Sequence, residues 1–436
     1  MKPPARAGSV GSNSLLPDIH QNDRFYVADN TLPEAESSRQ QQETVMKKDI
    51  VVIGAGPAGL SLACSLADSL LELLVVERQD REKLCDPQFD GRDIALTHLS
   101  RKILERMDVW SRMPVDETYS IREARVLDGD SPYTLQFDCS DITEGILGYI
   151  VSNHLICRAL YDKATSLDNV ELLTEVSVTN VQTDGGGARI SLSNGNTVEA
   201  ALVVSADSRF SEIRRKMGIS ADMHDFGRVC IVCRMRHERP HEGVAHECFF
   251  YGQTLAVLPL ADRESSIVIT VSSSKANHIM DMTSHEFNRH VQGQYKGKLG
   301  RMELSSDKYL YPLVAVWANR FAGQRFALIG DAAVGMHPVT AHGFNLGLRS
   351  QHTLARLIIA ATQSGADIGS VGLLNHYHST HRRVARPIYL GTNAIVELFT
   401  NDGPLHRLAR KAVLRFGNVF PPIRHVITRQ LTATGG

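Results

Sequence analysis

Nowhere does the sequence hold the ~18 uninterrupted apolar residues of a membrane-spanning helix, so it reads as soluble or at most peripheral. Charge of one sign is missing as well. The formal net charge is -1 and no long basic run occurs, which speaks against a nucleic-acid partner. Cysteine is scarce: the seven stand at 64, 85, 139, 157, 230, 233 and 248, an odd and scattered set. They read as buried thiols of a cytoplasmic enzyme rather than as a disulfide framework. Metal spacing is lacking too. Cys230 and Cys233 have no second pair, and on a strand residues three apart face opposite sides. His376, His378 and His381 fall on a polar helical pattern beside Arg382 and Arg383 and read as a solvated face.

Residues 1–45 have no apolar periodicity and are rich in Pro, Ser, Asn, Gln and Glu, as expected of a disordered leader. Met46 is a candidate natural start, and the acids Asp18, Asp23, Asp29, Glu34 and Glu36 disfavour a transit peptide. The remaining length exceeds one ordinary core, which points to packed regions sharing a ligand.

Two segments carry most of the chemistry. In the first, the apolar run Asp49–Ile53 meets Gly54-Ala-Gly-Pro-Ala-Gly59 and then a helical pattern, Pro57–Leu70. Gly54 allows the tight turn, Gly56 lets backbone approach a pyrophosphate, and Gly59 lets helix and strand pack closely. The helix offers its amides and positive dipole end to that phosphate. A second strand, Leu71–Val76, delivers Glu77 about 20 residues on, where a carboxylate can accept from ribose hydroxyls. In the second segment, the strand Phe326–Ile329 ends at Gly330-Asp331, and Met336-His337-Pro338 and Ala341-His342-Gly343-Phe344-Asn345 lead into a helix, Leu346–Ala361. One fingerprint implies a nucleotide; the pair implies one extended cofactor held at both ends, FAD. A second Gly-x-Gly-x-x-Gly is missing, so a nicotinamide cofactor has no Rossmann domain of its own.

Between them, Val176–Val181, Arg189–Leu192 and Val198–Val204 alternate with glycine turns as a β-meander. The strand ending at Asp207 leads to Ser211 and Arg214, either a cofactor contact or a solvated strand end. Arg92, before a helical pattern from Ser100, lies either over the cofactor phosphates or on the surface. Arg228–Met235, Glu247–Tyr251, Thr254–Pro259, Ser266–Ser272 and Tyr309–Val316 read as an antiparallel sheet.

The chain resembles the FAD-dependent ubiquinone-biosynthesis hydroxylases of the UbiH/UbiF type, class A flavoprotein monooxygenases, and within them the UbiM branch. The likeness spans roughly 47–432. It rests on the first glycine motif, Glu77-Arg78, Gly91-Arg-Asp-Ile-Ala-Leu96, Asp207 with Ser211 and Arg214, Gly330-Asp-Ala-Ala333 through Asn345, and Thr392-Asn-Ala-Ile-Val-Glu-Leu-Phe399. It implies an α/β fold: a Rossmann-like FAD-binding domain with a β-meander insert, an antiparallel-sheet substrate domain and C-terminal helices. The FAD domain is expected from 46–110, 150–225 and 320–385, the substrate sheet from 111–149 and 226–319, and the helical tail from 386–436. It also implies a reaction, activation of O2 by reduced flavin as a flavin hydroperoxide and hydroxylation of a prenylated phenol, with NAD(P)H as reductant.

By the same resemblance Gly54, Gly56 and Gly59 hold the pyrophosphate, Glu77 with Arg78 the adenosine ribose end, and Arg92 the phosphates. Asp331 bonds the ribityl chain, Asp207 serves FAD and nicotinamide contact, and Gly343, Phe344 and Asn345 border the flavin ring. His337, Pro338 and His342 are the catalytic candidates, the two histidines either facing the ring or capping the helix. The chain departs from the family pattern at Ser205 and Ser208, which replace glycines beside Asp207, at Val334, and at Ala341-His342. At Ser152-Asn153-His154 a flavin contact usually made by Arg either passes to His154 or is lost. Rival readings are a non-oxygenating reductase, a halogenase (disfavoured with only Trp110 and Trp317), an NAD-dependent dehydrogenase, and a non-catalytic assembly protein acting with other ubiquinone-biosynthesis proteins. A lipid substrate implies contact with the inner face of the cell membrane. The basic and apolar stretch Leu405–Gln430 is either an interfacial helix pair or a packed terminal helix with a solvated basic face.

Overall fold

In the computed structural model the described residues are 45–129, 134–139, 145–250, 252–337 and 342–400, with Gly403 and Arg410. All lie in the unit Glu43–Gly436. The expected leader is outside them except Val45, which begins the first strand, Val45–Ile53. Most of the basic tail 405–430 is also outside.

Five apolar runs make the central parallel sheet. Phe326–Leu328, Thr197–Ser205, Val45–Ile53, Leu73–Val76 and Val170–Leu173 pair in that order, every pair parallel. Ile50 to Val52 and Leu73 to Val75 are fully buried, the continuous burial expected of a parallel sheet covered on both faces. Val178–Thr183 and Ala188–Leu192 continue the sheet antiparallel from Thr197–Ser205, giving the expected meander. Its hairpin closes where Asp184 Oδ1 accepts the N–H groups of Gly186 and Gly187 at 2.7 and 2.9 Å.

The helix after the glycine turn is shorter than its pattern predicts, Pro57–Ser65 rather than Pro57–Leu70. Asn169 supplies a physical reason: its amide donates to the carbonyls of Leu66 and Leu71 at 3.2 and 3.0 Å, satisfying the helix end from outside. That partner is remote in sequence.

A nine-stranded sheet forms the second layer. Val334–Gly335, Tyr309–Ala318, Ala221–His237, Glu264–Ser272, Gln253–Pro259, Val244–Phe250, Glu123–Asp128 and Thr134–Asp138 follow one another across it, and Met302–Leu304 joins Ala221–His237. Its strand Ala221–His237 is twice as long as the run Arg228–Met235 suggests, because Ala221 to Asp225 extend it along Tyr309–Ala318 past a bulge. Cys230 and Cys233 fall in different apolar clusters on the two faces, as strand parity requires. A third sheet joins Asp93–Leu96, Gly148–Ser152 and Thr118–Ile121. The boundary expected at 385/386 falls inside one helix, Val371–Thr400.

On that helix the expectation of a solvated histidine face is overturned. His376 is exposed, but His381 is buried, its ring parallel to Tyr377 at 6.0 Å. His378 Nδ1 accepts the Phe321 N–H at 3.1 Å. The helix packs its histidines against Phe321, an apolar contact that local polarity does not reveal.

Candidate functional site

The glycine turn sits where three strands of the parallel sheet end. Gly54 N–H donates to Val76 O at 2.8 Å, and Ala206 N–H donates to Ile53 O at 2.8 Å. A Cβ on Gly59 would lie 1.9 Å from Gly54 O, so only glycine lets the helix Pro57–Ser65 approach its strand. At Gly56 the opposite holds: a Cβ there would meet nothing within 4 Å. Gly56 is the N-cap and Pro57 follows it without an N–H, so no side chain caps the Ala58 and Gly59 amides at this helix start.

Glu77 reaches back into this turn. Its Oε2 accepts the Ala55 N–H at 2.8 Å and its Oε1 accepts the Gln79 N–H at 3.0 Å. Both oxygens keep lone pairs for hydroxyl donors. Arg78, the neighbouring candidate, is exposed.

The distant Gly330-Asp331 segment arrives at the same place. Gly330 has φ +60, and a Cβ on it would lie 2.7 Å from the Ala58 Cβ. The two motifs therefore touch. Asp207 lies on the third strand end, its Oδ1 accepting the Ser205 hydroxyl at 2.6 Å. Ser205 thus puts a hydroxyl to use where the family pattern has glycine. The solvated alternative for Arg214 is overturned: it is buried and donates to Ala332 O at 2.7 Å, clamping the Asp207 loop to the Asp331 segment.

Sequence reading missed Arg209. Its guanidinium donates to Asp331 Oδ2 at 3.1 and 2.7 Å and to Val314 O at 3.1 Å. It joins the parallel sheet, the Asp331 turn and the second sheet. The only local signal was an arginine two residues past Asp207.

The remaining candidates line the junction of the layers. Arg92 is held by Asp90, Nε to Oδ2 2.9 Å, and lies over the Tyr311 ring. Asn345 in the first turn of the helix His342–Gln363 accepts from the Thr97 N–H at 3.0 Å and the Ser100 hydroxyl at 2.6 Å, and donates to Ala95 O at 2.8 Å. Its side chain is thus a brace, and the backbone of Gly343, Phe344 and Asn345 remains the part available to a ring. His342 opens the helix. His337 is buried against Phe226, ring centroids 5.0 Å apart, and burial beside Arg228 pushes it down to about 4. His154 meets Phe89 edge to face at 5.5 Å, and burial lowers its pKa. Pro338 and Ala341 lie outside the described residues. Among the described residues no group of His, Cys, Asp and Glu could hold a metal ion.

An open helix N-terminus, a carboxylate beside it and an aspartate at a neighbouring strand end form one continuous polar edge, which suits a dinucleotide with a pyrophosphate at its middle. Residues 47–390 match the family model described as FAD binding domain. The ubiquinone hydroxylase UbiM of Neisseria meningitidis is 49% identical over 391 residues, 89% of this chain and 85% of that protein. The ubiquinone hydroxylase UbiL of Rhodospirillum rubrum is 33% identical over 390 residues, 88% and 90% of the two. Among solved structures, p-nitrophenol 4-monooxygenase PnpA of Pseudomonas putida superposes with a TM-score of 0.72 at 17% identity, covering 90% of this chain and 100% of its own, a likeness of fold.

Proposed function

The chain belongs to the FAD-binding family that includes the ubiquinone hydroxylases, and from that premise we propose that it is an FAD-dependent monooxygenase hydroxylating the aromatic ring of a prenylated phenol or quinol in ubiquinone biosynthesis. The contact of Gly330 with Ala58, which joins both halves of a single cofactor site, is the observation that carries it. Bound and reduced, FAD supplies the chemistry: O2 is activated, one oxygen atom enters the ring and the other leaves as water.

The protein's part is to bind, orient and exclude water. In this reading Gly54, Gly56, Gly59 and the helix amides take the pyrophosphate, Glu77 the adenosine ribose, and Asp331, with Arg209 at its side, the ribityl hydroxyls. Asp207, Arg92 and His154 border the cofactor. The backbone of 343–345 presents helix amides to the ring, where negative charge develops on reduction. His337, neutral at pH 7, serves as a polar contact beside the ring, together with His342 and Pro338. NAD(P)H is the proposed reductant.

Among the described residues no helix is long and apolar enough to cross a membrane. We place the protein in the cytoplasm, in contact with the inner face of the membrane, where a prenylated substrate resides; flotation with anionic vesicles should carry the full chain upward, and failure to float removes this contact.

Function is tested by expressing the chain in cells lacking their own ring hydroxylases and following quinone intermediates by mass spectrometry. Hydroxylated product is expected. Unchanged precursor alongside a yellow, FAD-loaded protein would instead assign it a non-catalytic role in assembly.

A further inference from the structure

Among the described residues, the helices Ser273–Met280 and Ser284–Gln294 fill one face of the nine-stranded sheet. Ile231, Cys233, Leu255 and Ile269 point into a core with Phe287 and Val291 of the helix Ser284–Gln294. Paired residues share a face, so the register defines the other side. One row across it is Tyr311, Cys230, Thr270, Thr254 and Phe249. The next is Tyr309, Val232, Val268, Ala256, Glu247 and Val126.

This face turns toward the cofactor candidates. Tyr311 donates its hydroxyl to Asp90 O at 2.6 Å, and Phe226 meets His337. It carries two small apolar clusters. One contains Cys230, Val232 and Leu313, with Val268 and Tyr309 against it; the other contains Phe249, Leu135 and Phe137, with Val126 and Leu398 against it. Glu247 stands between them, about three strand spacings, ~15 Å, from the strand that carries Phe226.

A half-buried carboxyl on this face, set between two apolar clusters, is open to a polar partner. Among the described residues no ion pair reaches its carboxyl, and the nearest polar influence on it is the Thr254 hydroxyl of the neighbouring strand. A ring oxygen flanked by an apolar ring and a prenyl tail has the matching pattern, polar at one point and apolar on both sides. Building on the proposed function, we propose that Glu247 anchors the substrate, its carboxylic O–H donating to the oxygen of the phenol or quinone head while the two clusters take the ring and the first prenyl units.

Burial pushes the Glu247 carboxyl up to about 8, so it is a neutral donor at pH 7 and loses the proton above that. The titratable and charged groups on the same face are otherwise engaged. Cys230 is pushed up to about 12, and its Sγ lies 3.3 Å from Thr270 Oγ1. Asp128 pairs with Arg410, Arg234 with Asp93, and Arg92 with Asp90. Arg228 donates to Gly252 O at 3.1 Å.

The test uses the full FAD-loaded chain, a short-prenyl phenol and the variants Glu247→Gln and Glu247→Leu, with bound FAD and Tm measured for each. Wild-type KM should rise above pH ~8. Glu247→Gln, whose amide still donates, should stay within about 3-fold of wild type at pH 7 and show no alkaline rise. Glu247→Leu should raise KM at least 10-fold with smaller change in kcat, at unaltered FAD content. A wild-type KM in Glu247→Leu, or the same alkaline rise in Glu247→Gln, overturns the anchor and leaves the functional assignment standing. If Glu247→Leu does not fold, the pH comparison between wild type and Glu247→Gln decides alone. A wild-type chain that is yellow yet turns over no prenylated phenol sinks the function and the anchor together.

Discussion

Gly59 shows how tightly a single residue can constrain a cofactor site. A methyl group there overlaps Gly54 O, so Gly59→Ala must push the helix from its strand, at about 1–3 kcal/mol. Bound FAD in the purified variant should fall at least 10-fold, and retention at wild-type level would contradict the role given to this turn. Asn345 is constrained differently, by three hydrogen bonds to residues 95–100. Asn345→Ala strands their partners and should cost about 2–3 kcal/mol, read as a Tm several degrees lower. The glycines and Glu77 were legible because each acts within one βαβ unit. Arg209 was not, because its carboxylate partner Asp331 lies 122 residues away.

Among the elements, the helix Val371–Thr400 differs most from its sequence pattern. His381 looks polar in sequence but is buried against Tyr377 and Phe321, and burial, with Arg349 nearby, pushes it down to about 3. Its folded pKa is depressed below the unfolded ~6.5. The unfolded chain therefore binds the extra proton first, and the stability present above pH ~6.5 is lost as pH falls toward 3, by up to ~1.4 kcal/mol per unit. Urea unfolding at pH 7.5 and 5.5 should show a smaller acid loss in His381→Phe than in wild type; equal losses would mean the histidine is not buried neutral. The strand Ala221–His237 makes the converse point. Its alternation places Cys230 and Cys233 on opposite faces, each thiol pushed up to about 12 by burial. Chelators should leave Tm unchanged, and a chelator-dependent drop would mean the two thiols share a metal after all.

At the scale of the whole molecule, ligand and fold are linked. If FAD binds as proposed, where three strand ends and two helix starts converge, saturating FAD should raise Tm, at ~2.7 kcal/mol for ligand at 100 times Kd. Gly59→Ala should blunt that rise, and a rise of equal size in the variant would locate FAD elsewhere. The sequence by itself determined the strand-turn-helix units, the carboxylates at their ends and the face each strand residue presents, because these follow from steric rules acting over a few residues. Only the tertiary structure decided that Gly330 meets Ala58, that Arg209 holds Asp331, that Asn169 ends a helix early, and that Glu247 lies between two apolar clusters. Such contacts depend on sheet order and layer packing, which join residues far apart in the chain and leave no periodic trace in it.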